Sequence, residues 1–106
     1  MTKQINVTTL NQWQLEKKDF QLIDVREPKE KAVADIGGIL IPLGTIPYEL
    51  NQVDKTKKIV VYCRSGKRSA EAVNFITTKL GLTEVYNLEG GILAWADEID
   101  KTITKY

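Results

Sequence analysis

The sequence predicts an α/β fold: a central, mostly parallel five-stranded sheet flanked by helices on both faces. Short, nearly uniformly apolar runs such as Gln21–Val25, Ile39–Ile41 and Ile59–Tyr62 have the look of strands buried on both sides. Segments with apolar residues at helical spacing separate them, which is the alternation of a layered parallel sheet. At 106 residues and 42% hydrophobic, the chain is read as one domain over 1–106, with a core of about 7–99.

Taken in order, Lys3–Val7 reads as a short strand, with Thr8 as the cap of a helix that carries Leu10, Trp13 and Leu15. Gln21–Val25 is the next strand, and Pro28 suits the first turn of a small helix. Ile39–Ile41 is a strand closed by Pro42, and Pro47 to about Asn51 offers one or two helical turns. Ile59–Tyr62 is the clearest strand. Ser69 to Leu80 follows with Ala70, Val73, Ile76 and Leu80 at helical spacing, and Gly81 stands at the C′ position. Glu84–Asn87 completes the strands, and Gly91–Glu98 is a last helix with Ile92 and Trp95 facing inward.

Composition removes several functions. A net charge of +1 lacks the basic excess usual for nucleic-acid or membrane-surface binding. One cysteine and no histidine exclude an intrachain disulfide, a Cys/His metal site and any His-based catalytic pair. No metal or organic cofactor is implied. The start of the chain has no apolar stretch of signal-peptide type, and no run reaches membrane-spanning length, so the expected setting is cytoplasmic.

In parallel sheets, sites form at the carboxyl ends of strands. Two polar segments stand there: Asp24-Val25-Arg26-Glu27, and Cys63-Arg64-Ser65-Gly66-Lys67-Arg68-Ser69. In the second, a buried strand delivers Cys63 to a tight turn that leads at once into a helix. Backbone N–H groups of the turn and the helix dipole favour a negative charge there. Gly66 permits a positive φ, and Arg64, Lys67 and Arg68 add three cations within five residues. Such settings lower a cysteine from about 8.5 to roughly 3.5–7.5, so Cys63 is read as a reactive thiolate rather than a small buried hydrophobe.

Three segments in order, LIDVREPKE (22–30), VYCRSGKRS (61–69) and NLEGGILAW (87–95), resemble the motifs of single-domain rhodaneses. The resemblance implies a rhodanese-like fold and a sulfurtransferase that moves a sulfane sulfur through a persulfide. It implies that Cys63 is the catalytic residue and that Arg64, Ser65, Gly66, Lys67, Arg68 and Ser69 form the substrate-binding loop. By the same resemblance Asp24 and Arg26 brace the site from the neighbouring strand end, as a supporting shell does in other sites; on the residues alone a local ion pair is an equal reading. Glu89, Gly90, Gly91 and Trp95 match a structural signature, read as a tight turn and a core residue. The chain departs from the family at Ala34-Asp35-Ile36, where Gly-His-Ile is common, and the stretch to Pro42 is one residue shorter. Lys31 and Ala32 replace an aromatic that often follows Glu30.

The expected donor is thiosulfate or another small anionic persulfide or polysulfide; the acceptor is cyanide in vitro and a thiol or thioredoxin-like protein in cells. Two alternatives stand beside this reading. One is a persulfide carrier or binding module without efficient thiosulfate turnover. The other is a cysteine phosphatase or arsenate reductase, whose Cys-x5-Arg frame is one residue longer than Cys63–Arg68.

Overall fold

The computed structural model describes residues 2–106. Parallel pairing of short strands builds a five-stranded sheet in the order β1-β5-β4-β2-β3. The strands are β1 (Gln4–Ile5), β2 (Phe20–Asp24), β3 (Ile39–Leu40), β4 (Lys58–Tyr62) and β5 (Val85–Leu88). All described pairings are parallel, which tightens the expected "mostly parallel" sheet to an entirely parallel one. The helices are α1 (Val7–Leu15), α2 (Pro28–Val33), α3 (Lys67–Leu80) and α4 (Gly91–Glu98). Leu43–Tyr48 and Leu50–Gln52 are 3₁₀ turns, because Pro47 inside the first of them cannot donate to an α-helical ladder.

Alternation along β4 divides the core. Ile59, Val61 and Cys63 face α3, where they meet Ala72, Val73 and Ile76 together with Ile46 and Val53. Val60 and Tyr62 face the other way, onto Leu10 of α1 and Ile92 and Trp95 of α4. Both faces are therefore covered, which is why the central strand carries no polar residue between Ile59 and Val61.

Three local expectations change. The cap of α1 is Asn6, not Thr8: its side-chain oxygen accepts the Thr9 N–H at 2.9 Å, so the helix starts at Val7. α3 begins at Lys67 rather than Ser69, with Gly66 in the left-handed region at its N-cap. Leu15 does not reach the core; it closes α1 facing solvent, 75% exposed, because the chain turns away through Glu16 and Lys17.

Leu10→Ala should lower stability by about 2–5 kcal/mol, since its side chain is fully enclosed between α1, β5 and α4. Leu15→Ala should stay within about 0.5 kcal/mol. Urea midpoints of the two variants at unchanged slope measure the contrast; a similar loss in both would contradict this packing.

Candidate active site

The parallel register sets the two polar segments side by side. Asp24 of β2 pairs with Tyr62 of β4, so Val25-Arg26 and Cys63-Arg64 leave the sheet next to one another. On the far side of β4, Val61 pairs with Asn87 of β5, which puts the Asn87 side chain on the face turned toward α3.

Cys63 is 1% exposed, so the loop encloses the sulfur. The Gly66 N–H points at Sγ from 3.1 Å, and the Ser69 N–H from 3.4 Å. The Ser69 hydroxyl oxygen lies 3.3 Å from Sγ. Gly66 takes φ +104, a conformation open to glycine, and this is what swings its amide inward. Burial pushes the thiol up, but the Ser69 hydroxyl and the Ser69, Gly66 and Ser65 amides outweigh it, and the thiol sits below its ordinary value.

Peptide carbonyls of the same loop are turned away by α4. Ile92 N–H donates to the Cys63 carbonyl at 3.0 Å and Leu93 N–H to the Arg64 carbonyl at 3.2 Å. These are amides of the first helical turn, which have no partner within their own helix. Gly91 sits against both carbonyls at φ +59; a Cβ there would lie 2.5 Å from the Arg64 oxygen and 2.6 Å from the Cys63 oxygen. The glycine pair is thus more than a tight turn: Gly91 permits the approach that orients the loop.

Each arginine near the loop has a definite partner. Arg68 forms a two-pronged pair with Glu30 of α2, Nη1 to Oε2 at 2.8 Å and Nη2 to Oε1 at 2.9 Å. Arg64 donates from Nε to the Tyr106 carbonyl and lies over the Tyr106 ring, 5.2 Å from its centroid. Lys67 is exposed and enters no salt bridge among the described residues.

Asp24 and Arg26 are both fully buried. Arg26 donates Nε to Oδ1 at 2.9 Å and Nη2 to Oδ2 at 2.7 Å of Asp24. Its Nη1 reaches the Tyr106 hydroxyl at 3.0 Å, and its Cζ lies over the Tyr62 ring, 5.4 Å from the centroid. Burial alone would lower the Arg26 guanidinium, yet the bonds to Asp24 and Tyr106 hold it firmly charged. The Tyr62 hydroxyl lies 3.1 Å from Asp24 Oδ2 and 2.7 Å from the Gly37 carbonyl, and burial with Asp24 nearby pushes its phenol up. Asp35, in the place of the family histidine, accepts the Gly37 N–H at 2.8 Å and pairs with Lys31 at 3.0 Å. It therefore shapes the turn that receives the Tyr62 hydroxyl.

A family model for the rhodanese-like domain matches residues 7–98. The chain belongs to the rhodanese-like family. It is 37% identical over 97 residues to a sulfurtransferase of Allochromatium vinosum, covering 91% of this chain and 90% of that one. A rhodanese-related protein from Thermoplasma volcanium superposes with a TM-score of 0.81 at 35% identity, over 92% of this chain and 93% of the other. A rhodanese-like domain protein from Staphylococcus aureus gives 0.80 at 33%, over 99% of each. These relatives support a sulfurtransferase role for this rhodanese-like chain.

Reading the sequence missed Glu30, Asn87 and Tyr106. Asn87 carried a signal, a polar residue inside a buried strand; Glu30 and Tyr106 become partners of the loop only through the fold. The groove of about 580 Å³ between the first 3₁₀ turn and α3, lined in part by Leu43, Pro47 and Phe75, includes no residue of the cysteine loop. The rhodanese-like site is a cradle around one atom, suited to a small donor.

Two consequences are measurable. Gly91→Ala should cost on the order of 1–3 kcal/mol and cut any reaction at Cys63 at least tenfold, because the new methyl displaces both carbonyls; unchanged reactivity would show that the approach is not needed. Glu30 lies below its ordinary value of 4.5, chiefly through Arg68. A carboxyl lowered by folding stabilises fully above that ordinary value, and its contribution is lost as pH falls from there through the lower, folded value. Unfolding titrations of Glu30→Gln should therefore show a shallower loss of stability below about pH 5 than the parent; identical acid limbs would refute the coupling.

Proposed function

We propose that this protein is a sulfurtransferase that takes the outer sulfur of thiosulfate, or of a related persulfide or polysulfide, onto Cys63 and passes it to a thiophilic acceptor. The observation that carries the reading is the convergence of the Gly66 and Ser69 amides on Sγ, at 3.1 and 3.4 Å. Donors aimed at a single sulfur stabilise an anion of that size, and in a water-poor cradle they do so without reorganising.

The reaction runs in two halves. The Cys63 thiolate attacks the outer sulfur of the donor; the donor's S–S bond breaks, and sulfite from thiosulfate, or a thiolate from a persulfide or polysulfide, leaves with the bonding pair. Negative charge then lies on the terminal sulfur of the Cys63 persulfide, one bond outside Sγ. Lys67 and Arg64 at the rim draw in the dianionic donor, whereas Arg68 is already neutralised by Glu30 and acts through its position. An acceptor nucleophile, either cyanide in assay or a cellular thiol such as a thioredoxin-like protein, next attacks the terminal sulfur, and Cys63 leaves as thiolate. No second cysteine competes for the persulfide. Asp24 and Arg26 hold the strand end beside the loop, and no cofactor takes part.

Intact mass after thiosulfate treatment should show one added sulfur, removable by reductant. Cys63→Ser should lose both this adduct and thiosulfate:cyanide activity while folding normally, since a serine hydroxyl meets the same Gly66 and Ser69 donors. Alkylation of the parent should follow a thiolate midpoint below about 8.5. Activity surviving in Cys63→Ser would end the assignment, and a midpoint at the free-thiol value would remove the cradle from the mechanism.

A further inference from the structure

Asn87 is 97% enclosed, on β5, and its side-chain amide is fully engaged. Nδ2 donates to the Gly66 carbonyl at 3.1 Å and lies 3.2 Å from Gln4 Oε1. Because a backbone carbonyl only accepts, the nitrogen of the amide must be on that side, and Oδ1 is left facing Ser69. Ser69 Oγ lies 2.5 Å from that oxygen and 3.3 Å from Cys63 Sγ. A serine hydroxyl has one proton to donate. At these distances it belongs to Asn87, and the hydroxyl oxygen shows the sulfur its lone pairs.

That arrangement suits a neutral Sγ, whose S–H can donate to Ser69 Oγ. It does not suit a thiolate, toward which the hydroxyl must turn, and a bond to a charged acceptor is the stronger one. Transfer of the outer sulfur moves the charge one atom outward and makes Sγ neutral again, so the hydroxyl returns to Asn87. We propose that Asn87 is a positioning residue whose amide oxygen competes with the Cys63 sulfur for the Ser69 proton, so that the proton's place follows the charge on Sγ. This rests on the reading of Cys63 as the nucleophile.

The charged groups around the sulfur are few. Arg64 and Lys67 belong to its own loop, Arg68 is paired to Glu30 of α2, and the Asp24–Arg26 pair of β2 is internally neutral. From β5 the sulfur's surroundings receive only the uncharged Asn87 by way of Ser69, and from α4 the glycine turn and its amides. None of these carboxylates or cations lies between Asn87 and Ser69, so removing the amide leaves the charges in place.

The test is a double-mutant cycle read by the pH dependence of Cys63 alkylation with iodoacetamide, in the full chain and without a sulfur donor. Asn87→Ala frees the hydroxyl but also loosens Gly66; Ser69→Ala with Asn87→Ala reports the loosening alone. With Ser69 present, Asn87→Ala should leave roughly three- to tenfold more thiolate, at a pH below the midpoints, than the same change leaves in the Ser69→Ala background. Equal shifts in the two backgrounds, or a larger gain of thiolate without Ser69, would overturn the proposal. A second measurement needs no variant: the Asn87 side-chain amide resonance of the parent should titrate with the Cys63 alkylation midpoint, and a resonance that stays fixed through that midpoint would also overturn it. Both readouts follow the thiolate itself. Failure of persulfide formation would instead sink the sulfurtransferase reading and leave these titrations interpretable.

Discussion

The direction of two peptide carbonyls decides what the cysteine loop can do. A loop that closes around a sulfur must present either N–H or C=O dipoles to it, and only the first favour an anion. Here the Cys63 and Arg64 carbonyls are drawn outward by the Ile92 and Leu93 amides of α4. The Gly66 and Ser69 amides are left facing Sγ. The same bonds satisfy donors that the start of any helix leaves without partners, so loop and helix each complete the other. Gly91 is the steric condition for this exchange, since any side chain there would collide with both oxygens.

Magnitudes assign the work between amides and cations. The sulfur is almost wholly enclosed, whereas Arg64 and Lys67 stand at the solvent-exposed rim. Exposed charge pairs are worth about 0–1 kcal/mol because water screens them, while a hydrogen bond to a charged group is worth about 1.5–3 kcal/mol. Thiolate stabilisation therefore rests on the Ser69 hydroxyl and the loop amides rather than on the cations. In the proposed reaction the cations act on the approaching donor, whose charge is still in water. Two of the three loop cations are also held in place, Arg68 by Glu30 and Arg64 by Tyr106, so the loop carries an ordered field rather than three mobile charges.

Much of this was legible from local patterns. IVVY marks a strand covered on both sides, the spacing of Val73, Ile76 and Leu80 marks α3, and Gly91–Glu98 marks α4, because burial imposes a period on the residues themselves. The cysteine loop was readable for the same reason: a glycine and a cluster of cations directly after an apolar strand have few structural uses. The partners of that loop were not readable. Glu30 meets Arg68 across 38 positions of sequence and Tyr106 meets Arg64 across 42. Such contacts depend on strand order and register, which alternation does not specify. Leu15 shows the converse, an apolar residue at plausible spacing that the helix end leaves in solvent.

Register is also where stability and site become one constraint. β4 sends Val61 and Cys63 to the α3 face and Tyr62 to the other, where its hydroxyl meets Asp24 and the Gly37 carbonyl. A slip of one residue would exchange these faces, placing the tyrosine under α3 and the sulfur against the Asp24–Arg26 pair. Leaving that pair without the Tyr62 ring and hydroxyl would strand buried charge, and a buried ion pair tolerates the loss of its surroundings poorly. The Asp24–Arg26 pair thus need not touch a sulfur donor to matter. It penalises every register but the one that delivers Cys63 to the amides, and the central strand cannot shift toward a looser cradle without paying that penalty at its other face.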